Sequence, residues 1–88
     1  MPIKIYIPEV FEEIDFLCEE IWDLTSQIYE LEKWLDNNAD NLIKGKYVSD
    51  IGFTSREKHS GGGSVISLKM INTLSKIGME VFLTEYPK

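Results

Sequence analysis

The chain of 88 residues carries nine Lys and Arg against fifteen Asp and Glu, which gives a formal net charge of −6. A chain this short holds one small core, so we expect residues 1–88 to form a single domain. The acidic balance argues against nucleic-acid binding, which needs clustered cations. No apolar run approaches the roughly 18 residues of a membrane-spanning helix. The single cysteine and the lack of a secretion-signal pattern at the N-terminus predict a cytoplasmic protein.

The first half of the chain predicts a short strand and a long helix. In residues 3–7 (IKIYI) isoleucines alternate with other residues, as in a half-buried strand, and Pro8 ends it. Apolar residues then recur at spacings of four and three, namely at Val10, Ile14, Leu17, Ile21, Leu24, Ile28, Leu31 and Leu35. Phe11, Cys18 and Trp22 widen this stripe, and Trp34 lies near its end. A stripe of this width favours a helix packed on a sheet, with a coiled coil as the alternative.

The second half begins with a predicted strand over residues 46–57. One of its faces is mostly apolar, so we expect one side of the sheet to be buried and the other to face water. Residues 56–64 (REKHSGGGS) have the composition of a flexible, solvated loop. Val65 and Ile66 are then predicted to pair briefly with the preceding strand as a hairpin.

The C-terminal end predicts a helix and a last strand. Ser67 is a plausible N-cap for a helix over residues 68–77, with Leu68, Ile71, Leu74 and Ile77 on one face, and Gly78 follows as the helix stop. Residues 79–86 are rich in strand formers. The resulting order predicts an α+β, ferredoxin-like split βαβ fold: two helices, the first one long, on one face of a four-stranded antiparallel sheet.

The segment from Leu31 to Tyr86 resembles a family of small bacterial domains, the domain of unknown function 4279. The resemblance covers about two thirds of the chain and rests on a charged helix, the strand YVSDIGFTS, a glycine-containing loop, and SVISLKMINTLSKIGMEVFLTEY. Members of that family likewise end in a strand, a short helix and a closing strand. The family has no established activity to carry over, although it is itself similar to small bacterial immunity and accessory proteins.

The negative charge is concentrated in the first half of the chain. Residues 1–43 hold eleven acids and two lysines, whereas residues 44–88 hold four acids and seven bases. Between Glu9 and Glu30 there are eight acids and no base, with like charges four residues apart on the predicted helix, which destabilise an isolated helix. We interpret this run as a surface that meets a basic partner. The alternative is an acidic helix face that serves only solubility.

These patterns favour a protein-binding inhibitor of the immunity or antitoxin type, which would block a basic partner such as a nuclease toxin. The predicted partner-binding residues are the acids of the long helix and one tryptophan: Glu12, Glu13, Glu19, Glu20, Asp23, Glu30 and Trp34. The alternative is a structural module that forms a homodimer through a sheet edge or the first helix. A third class, an enzyme or small-ligand domain, lacks a nucleophile–base pair and a cofactor loop in the sequence.

The remaining candidate residues favour structural roles. His59 has no obvious partner for acid–base or metal chemistry and stands in the glycine-rich loop. The neighbours of Cys18 are acidic rather than basic, so it is predicted to be buried filler and not a nucleophile. Gly61, Gly62 and Gly63 lack the following Lys-Ser/Thr of a phosphate loop. We therefore predict no metal and no cofactor.

Overall fold

The structure is a computed structural model that describes residues 2–55 and 63–87. Its elements are β1 (Ile3–Ile7), β2 (Glu12–Leu17), α1 (Leu24–Asn38), a 3₁₀ turn (Ala39–Asn41), β3 (Tyr47–Thr54), α2 (Leu68–Ile77) and β4 (Met79–Tyr86). The predictions for β1, α2 and β4 are confirmed. β3 begins one residue later than predicted and ends at Thr54, and residues 56 and 57 of the predicted strand lie outside the described residues. Val65 and Ile66 do not form a strand. Most of the predicted glycine-rich loop lies outside the described residues.

The four strands form one mixed sheet in the order β2-β1-β3-β4. β1 is antiparallel to both of its neighbours, whereas β3 and β4 run parallel in unbroken register from Tyr47 opposite Met79 to Thr54 opposite Tyr86. The α+β class with two helices is therefore confirmed. The predicted antiparallel, ferredoxin-like arrangement is wrong. Because α2 carries the chain back along the sheet, β4 starts at the same end as β3 and runs parallel to it. The element order also differs, since it is strand, strand, helix, strand, helix, strand.

The prediction of a long first helix is also wrong, because the first half of the predicted helix folds as a strand. Residues 12–17 pair with β1 as a hairpin, and Phe11 at the hairpin turn has a positive φ of 54°. The helix begins only at Leu24, where the Oδ2 atom of Asp23 accepts a hydrogen bond of 3.0 Å from the backbone N–H of Ser26. An N-cap of this kind satisfies one of the donors that a helix start leaves free.

Both helices pack on the same face of the sheet. Their buried side chains form one cluster with the inward residues of three strands: Ile3, Ile5, Tyr47, Ile51 and Met79 from the sheet, Ile28, Leu31, Trp34 and Leu35 from α1, and Met70, Leu74 and Ile77 from α2. The four apolar residues that the sequence places on one face of α2 do not all pack on the sheet, since Leu68 and Ile71 are 73% and 48% exposed and Met70 is buried instead. The packing face of α2 is thus rotated from the predicted one.

Gly78 makes the tight turn between α2 and β4. It has a φ of +84°, and its backbone N–H donates to the carbonyl of Leu74, as predicted for a helix stop. A side chain at this position would overlap the carbonyl oxygen of Gly45. The carbonyl of Gly78 also accepts a hydrogen bond of 3.1 Å from the N–H of Tyr47, which joins the starts of β3 and β4.

Gln27 ties the segment before α1 to the sheet. Its side chain is fully buried, and its Nε2 atom donates to the carbonyl oxygens of Ile21 at 2.7 Å and Gly52 at 2.8 Å. Both partners are carbonyl oxygens, so the amide nitrogen must point toward them. Among the described residues the Oε1 atom has no hydrogen-bond partner.

Candidate protein-binding surface

The acidic residues between Glu9 and Glu30 do not share one helix face, contrary to the prediction. Glu12 and Glu13 lie on β2, and Glu19 and Glu20 lie in the connection between β2 and α1. All four side chains are exposed, and none of them forms an ion pair with another described residue. We call these four residues the acidic edge, because β2 is an outer strand of the sheet.

Asp23 and Glu30 are engaged within the chain. Asp23 caps α1, and its hydrogen bonds with Ser26 lower the pKa of the Asp23 carboxyl below its usual range. The Oε2 atom of Glu30 lies 3.3 Å from the Nζ atom of Lys33. Stabilisation of α1 is therefore a sufficient reason for both carboxylates.

Trp34 is part of the core and not an exposed anchor. It is 9% exposed, and its indole N–H donates to the Oδ2 atom of Asp15 on β2 at 2.7 Å. Asp15 stands opposite Ile5 in the β1–β2 ladder, so its side chain points to the helix-covered side. One of the eight acids thus connects β2 to α1 through a buried tryptophan.

In the part of the chain that the structure describes, the opposite face of the sheet carries no helix, and it is rich in aromatic side chains. Strand alternation directs Ile3, Ile5 and Ile51 to the core and their neighbours to the other side. That side displays Tyr6 of β1, Phe16 of β2, and Phe82 and Tyr86 of β4, which we call the aromatic face. Phe16, Phe82 and Tyr86 are 39%, 46% and 36% exposed, and Trp22 packs edge-on against Tyr86, with the ring centroids 5.8 Å apart.

The strand register arranges this face in rows across the sheet. One row contains, in order, Phe16, Lys4, Asp50 and Phe82; the next contains Glu13, Tyr6, Val48 and Glu80. The second row has Tyr6 and the buried Val48 at its centre and a carboxylate at each end. An apolar centre with a charged rim is the usual anatomy of a protein-binding surface.

The polar groups at the middle of the face make few contacts with one another. Lys4 places its Nζ atom 5.4 Å from the centre of the Tyr6 ring, and the hydroxyl of Thr84 donates to Asp50 at 3.2 Å. Lys4, Tyr6, Asp50 and the exposed Phe11 line a shallow depression of about 290 Å³.

The structure gives no support to Cys18 as a reactive group. Burial, followed by the charges of Glu30 and Asp23, raises the pKa of the Cys18 thiol, which disfavours the reactive thiolate. Among residues 2–55 and 63–87 no group of three or more His, Cys, Asp or Glu side chains is arranged to hold a metal ion. His59, Gly61 and Gly62 lie outside the described residues. Within the same ranges, neither helix is long and apolar enough to cross a membrane.

The aromatic face is not among the features predicted from the sequence. Its signal is the alternation of residues in EEIDFL and MEVFLTEY, which places the aromatic residues opposite the core once both segments are assigned to strands. Assigning the first of these segments to a helix conceals the pattern.

The chain matches no family model, no curated protein and no solved structure. Its resemblance to the domain of unknown function 4279 therefore stays a prediction.

Proposed function

We propose that this chain is a protein-binding inhibitor of the immunity or antitoxin type, which acts on a basic partner through the aromatic face and the adjoining acidic edge. The observation that carries the proposal is a sheet face left uncovered by helices. Three of its aromatic side chains are more than one third exposed, with Lys4 and Asp50 between Phe16 and Phe82. Aromatic residues are enriched among those that contribute most to binding energy.

The charges around this face support a basic partner. Glu13 and Glu80 end one row of the face, Glu12 lies on the outer strand β2, and Glu19 and Glu20 follow that strand in the chain. Carboxylates at the rim of an interface accelerate the encounter with a cationic surface and orient it. The acidic edge thus keeps the role expected from the sequence, but it acts from a strand and a turn instead of a helix.

The mechanism that we propose is occlusion. Phe16 enters an apolar position on the partner while Glu13 and the other carboxylates of the acidic edge pair with its cations. A nuclease toxin presents such cations where it binds phosphate groups, so covering them with an acidic sheet excludes the nucleic acid. This mechanism involves no bond formation by the inhibitor.

The test uses a partner captured from a lysate of the source cells, purified, and titrated against the wild-type protein and single variants. We expect Glu13→Lys to weaken the affinity at least about tenfold, and more at low salt, because a rim cation replaces an anion. Asp40→Lys is the matched control, since Asp40 is equally exposed but lies in the turn after α1. Phe16→Ala tests the aromatic contribution.

Equal affinities for the Glu13→Lys variant and the wild-type protein, together with an unchanged affinity of the Phe16→Ala variant, would overturn the assignment of this face. If the partner is an enzyme, its activity is measured at increasing inhibitor concentration. Binding without loss of partner activity would refute the inhibitory role and leave only the binding role.

A further inference from the structure

The two outer strands of the sheet differ in how they are protected against pairing. β2 is six residues long, carries Glu12, Glu13 and Asp15, and is interrupted by a bulge opposite Ile5 and Tyr6. Charges and bulges are common devices that keep an edge strand from pairing with another chain. β4 has eight residues in unbroken register with β3, and its central segment, residues 81–84, is uncharged. Among the described residues β4 pairs on one side only.

Among the described residues, the flank of α2 beside the β4 edge carries no charged side chain. Lys69 of α2 lies 3.2 Å from Asp36 of α1, so the flank of α2 that turns away from α1 carries Leu68, Ile71 and Ser75. Leu83 points to this same side of the sheet and is 53% exposed. A chain with a net charge of −6 meets a second copy most easily through a surface without charge.

We propose that β4 pairs antiparallel with β4 of a second copy, so that two four-stranded sheets join into one sheet of eight strands about a two-fold axis. Antiparallel pairing about such an axis keeps the helices of both copies on the same side. Residues that face each other must then lie on the same face of the sheet, which excludes every register that pairs an odd-numbered with an even-numbered residue. The exclusion removes the register in which Glu80 would face Glu85.

The side chains favour the register centred on Phe82. This register places Phe82 opposite Phe82 of the second copy on the aromatic face, and Val81 opposite Leu83 of the second copy on the helix side. Apolar or aromatic cross-strand pairs of this kind stabilise a sheet. Glu80 then faces Thr84 instead of another carboxylate. The register centred on Leu83 would place Val81 opposite Glu85 near its centre, whereas the register centred on Phe82 has its apolar–charged pair, Met79 opposite Glu85, at its ends.

The helix α2 places an apolar side chain close to this centre. Measured from the turn at Gly78, Ile71 lies about 10 Å along α2 and Phe82 about 13 Å along β4, from the usual rise per residue of helix and strand. Ile71 is therefore nearly level with the proposed axis. It is 48% exposed, and the second copy brings its own Ile71 to the same level.

The available area predicts a weak to moderate dimer. Leu68, Ile71, Phe82 and Leu83 are on average about half exposed, so at roughly 150–200 Å² per large side chain they present about 400 Å² in each copy. Two copies bury about 800 Å² from these side chains, and the paired backbone brings the total to about 1,000 Å², the lower limit of specific interfaces. We expect a monomer–dimer equilibrium in the micromolar range.

Sedimentation equilibrium over a range of protein concentrations tests the association, with Leu83→Lys as the disrupting variant. We expect at least about tenfold weaker dimerisation, because pairing of the two β4 strands would then bring two positively charged lysines, one from each copy, into the interface. Phe16→Lys is the matched control, since it adds the same charge to an exposed apolar residue of the other outer strand. Added salt should strengthen the dimer, because it screens two copies of charge −6. A monomer at every concentration would overturn the proposal.

Disulfide formation tests the register independently of stability. In a Cys18→Ser background, Phe82→Cys places two thiols on directly opposed residues, whose Cα atoms lie about 4.5–5.5 Å apart and can be bridged. Leu83→Cys is offset from its copy and should cross-link far more slowly. Faster cross-linking of Leu83→Cys would refute the Phe82-centred register.

The two proposals fail separately. Glu13→Lys should leave the dimer intact, whereas Leu83→Lys should leave the affinity of each copy for the basic partner unchanged. Equal weakening of dimerisation by Phe16→Lys and Leu83→Lys would place self-association outside the β4 edge.

Discussion

Replacing Gln27 with glutamate should make the stability of this protein strongly dependent on pH. The Nε2 atom of Gln27 donates to two carbonyl oxygens in a fully buried site. In the variant Gln27→Glu a carboxylate oxygen would face those two carbonyls, so burial and repulsion both favour the protonated, neutral acid. The pKa of a carboxyl in such a site lies as much as about 3–5 above the unfolded value of about 4.3.

The magnitude follows from linkage between protonation and folding. When the folded pKa lies above the unfolded pKa, stability relative to the wild type is greatest below the unfolded value and falls as pH rises toward the folded value. Each pH unit between the unfolded pKa and the folded pKa costs about 1.36 kcal/mol, so between the unfolded value of about 4.3 and pH 7 the variant should lose about 3.5 kcal/mol. That loss is comparable to the total stability of many small domains, about 5–15 kcal/mol.

Urea unfolding followed by tryptophan fluorescence at pH 5.5, 6.5 and 7.5 measures this effect at pH values above the isoelectric point of about 4.6. The matched control is Gln27→Met, which removes the two hydrogen bonds without adding a titratable group and should be destabilised equally at each pH. If the difference between Gln27→Glu and the wild type is the same at all three pH values, the side chain of Gln27 does not face the two carbonyls.

Three further substitutions test local features of the fold. Gly78→Ala should destabilise the protein by at least about 1–2 kcal/mol in thermal or urea unfolding, because its φ is positive and the added methyl group has no space. Asp15→Ala should cost about 1–3 kcal/mol, since the indole N–H of Trp34 loses its acceptor, whereas Asp15→Asn should cost clearly less. Asp23→Ala should cost about 1 kcal/mol above pH 5, and Asp23→Asn a few tenths. Because the folded pKa of Asp23 is lowered, that contribution should disappear as the pH falls below the usual value of 3.8.

The C-terminal half of the fold could be predicted because its signals are local. Ser67 accepts from the N–H of Met70 at 3.1 Å as an N-cap, and Gly78 ends α2 in the left-handed conformation, as their residue types indicate. Residues 79–86 alternate and form β4. The direction of β4 is not a local property, because the choice between parallel and antiparallel pairing depends on the path of α2 over the sheet.

The N-terminal half could not be predicted from apolar spacing, because that spacing fits a helix as well as a strand with a bulge. Ile14 is the extra residue of the bulge on β2 and still packs against the core. The charges distinguish the two structures. Acids four residues apart, such as Glu9 and Glu13, repel each other on a helix, whereas on the hairpin Glu9 pairs with Lys46 at 3.2 Å. The repulsion that the sequence interpretation assigns to function is therefore an indication against the helix.

Joining the two proposals predicts how the protein would bind its partner. A two-fold axis through β4 keeps both aromatic faces on one side, with the two Phe82 side chains at the centre and the two acidic edges at opposite ends of the eight-stranded sheet. Each acidic edge lies far from the axis, so dimerisation leaves Glu13 accessible in both copies. A dimer would therefore bind two basic partners independently, or one two-fold symmetric partner with increased avidity. With two independent partners, the affinity of each site does not depend on the inhibitor concentration. With one symmetric partner, Leu83→Lys would weaken binding although Glu13 is unchanged.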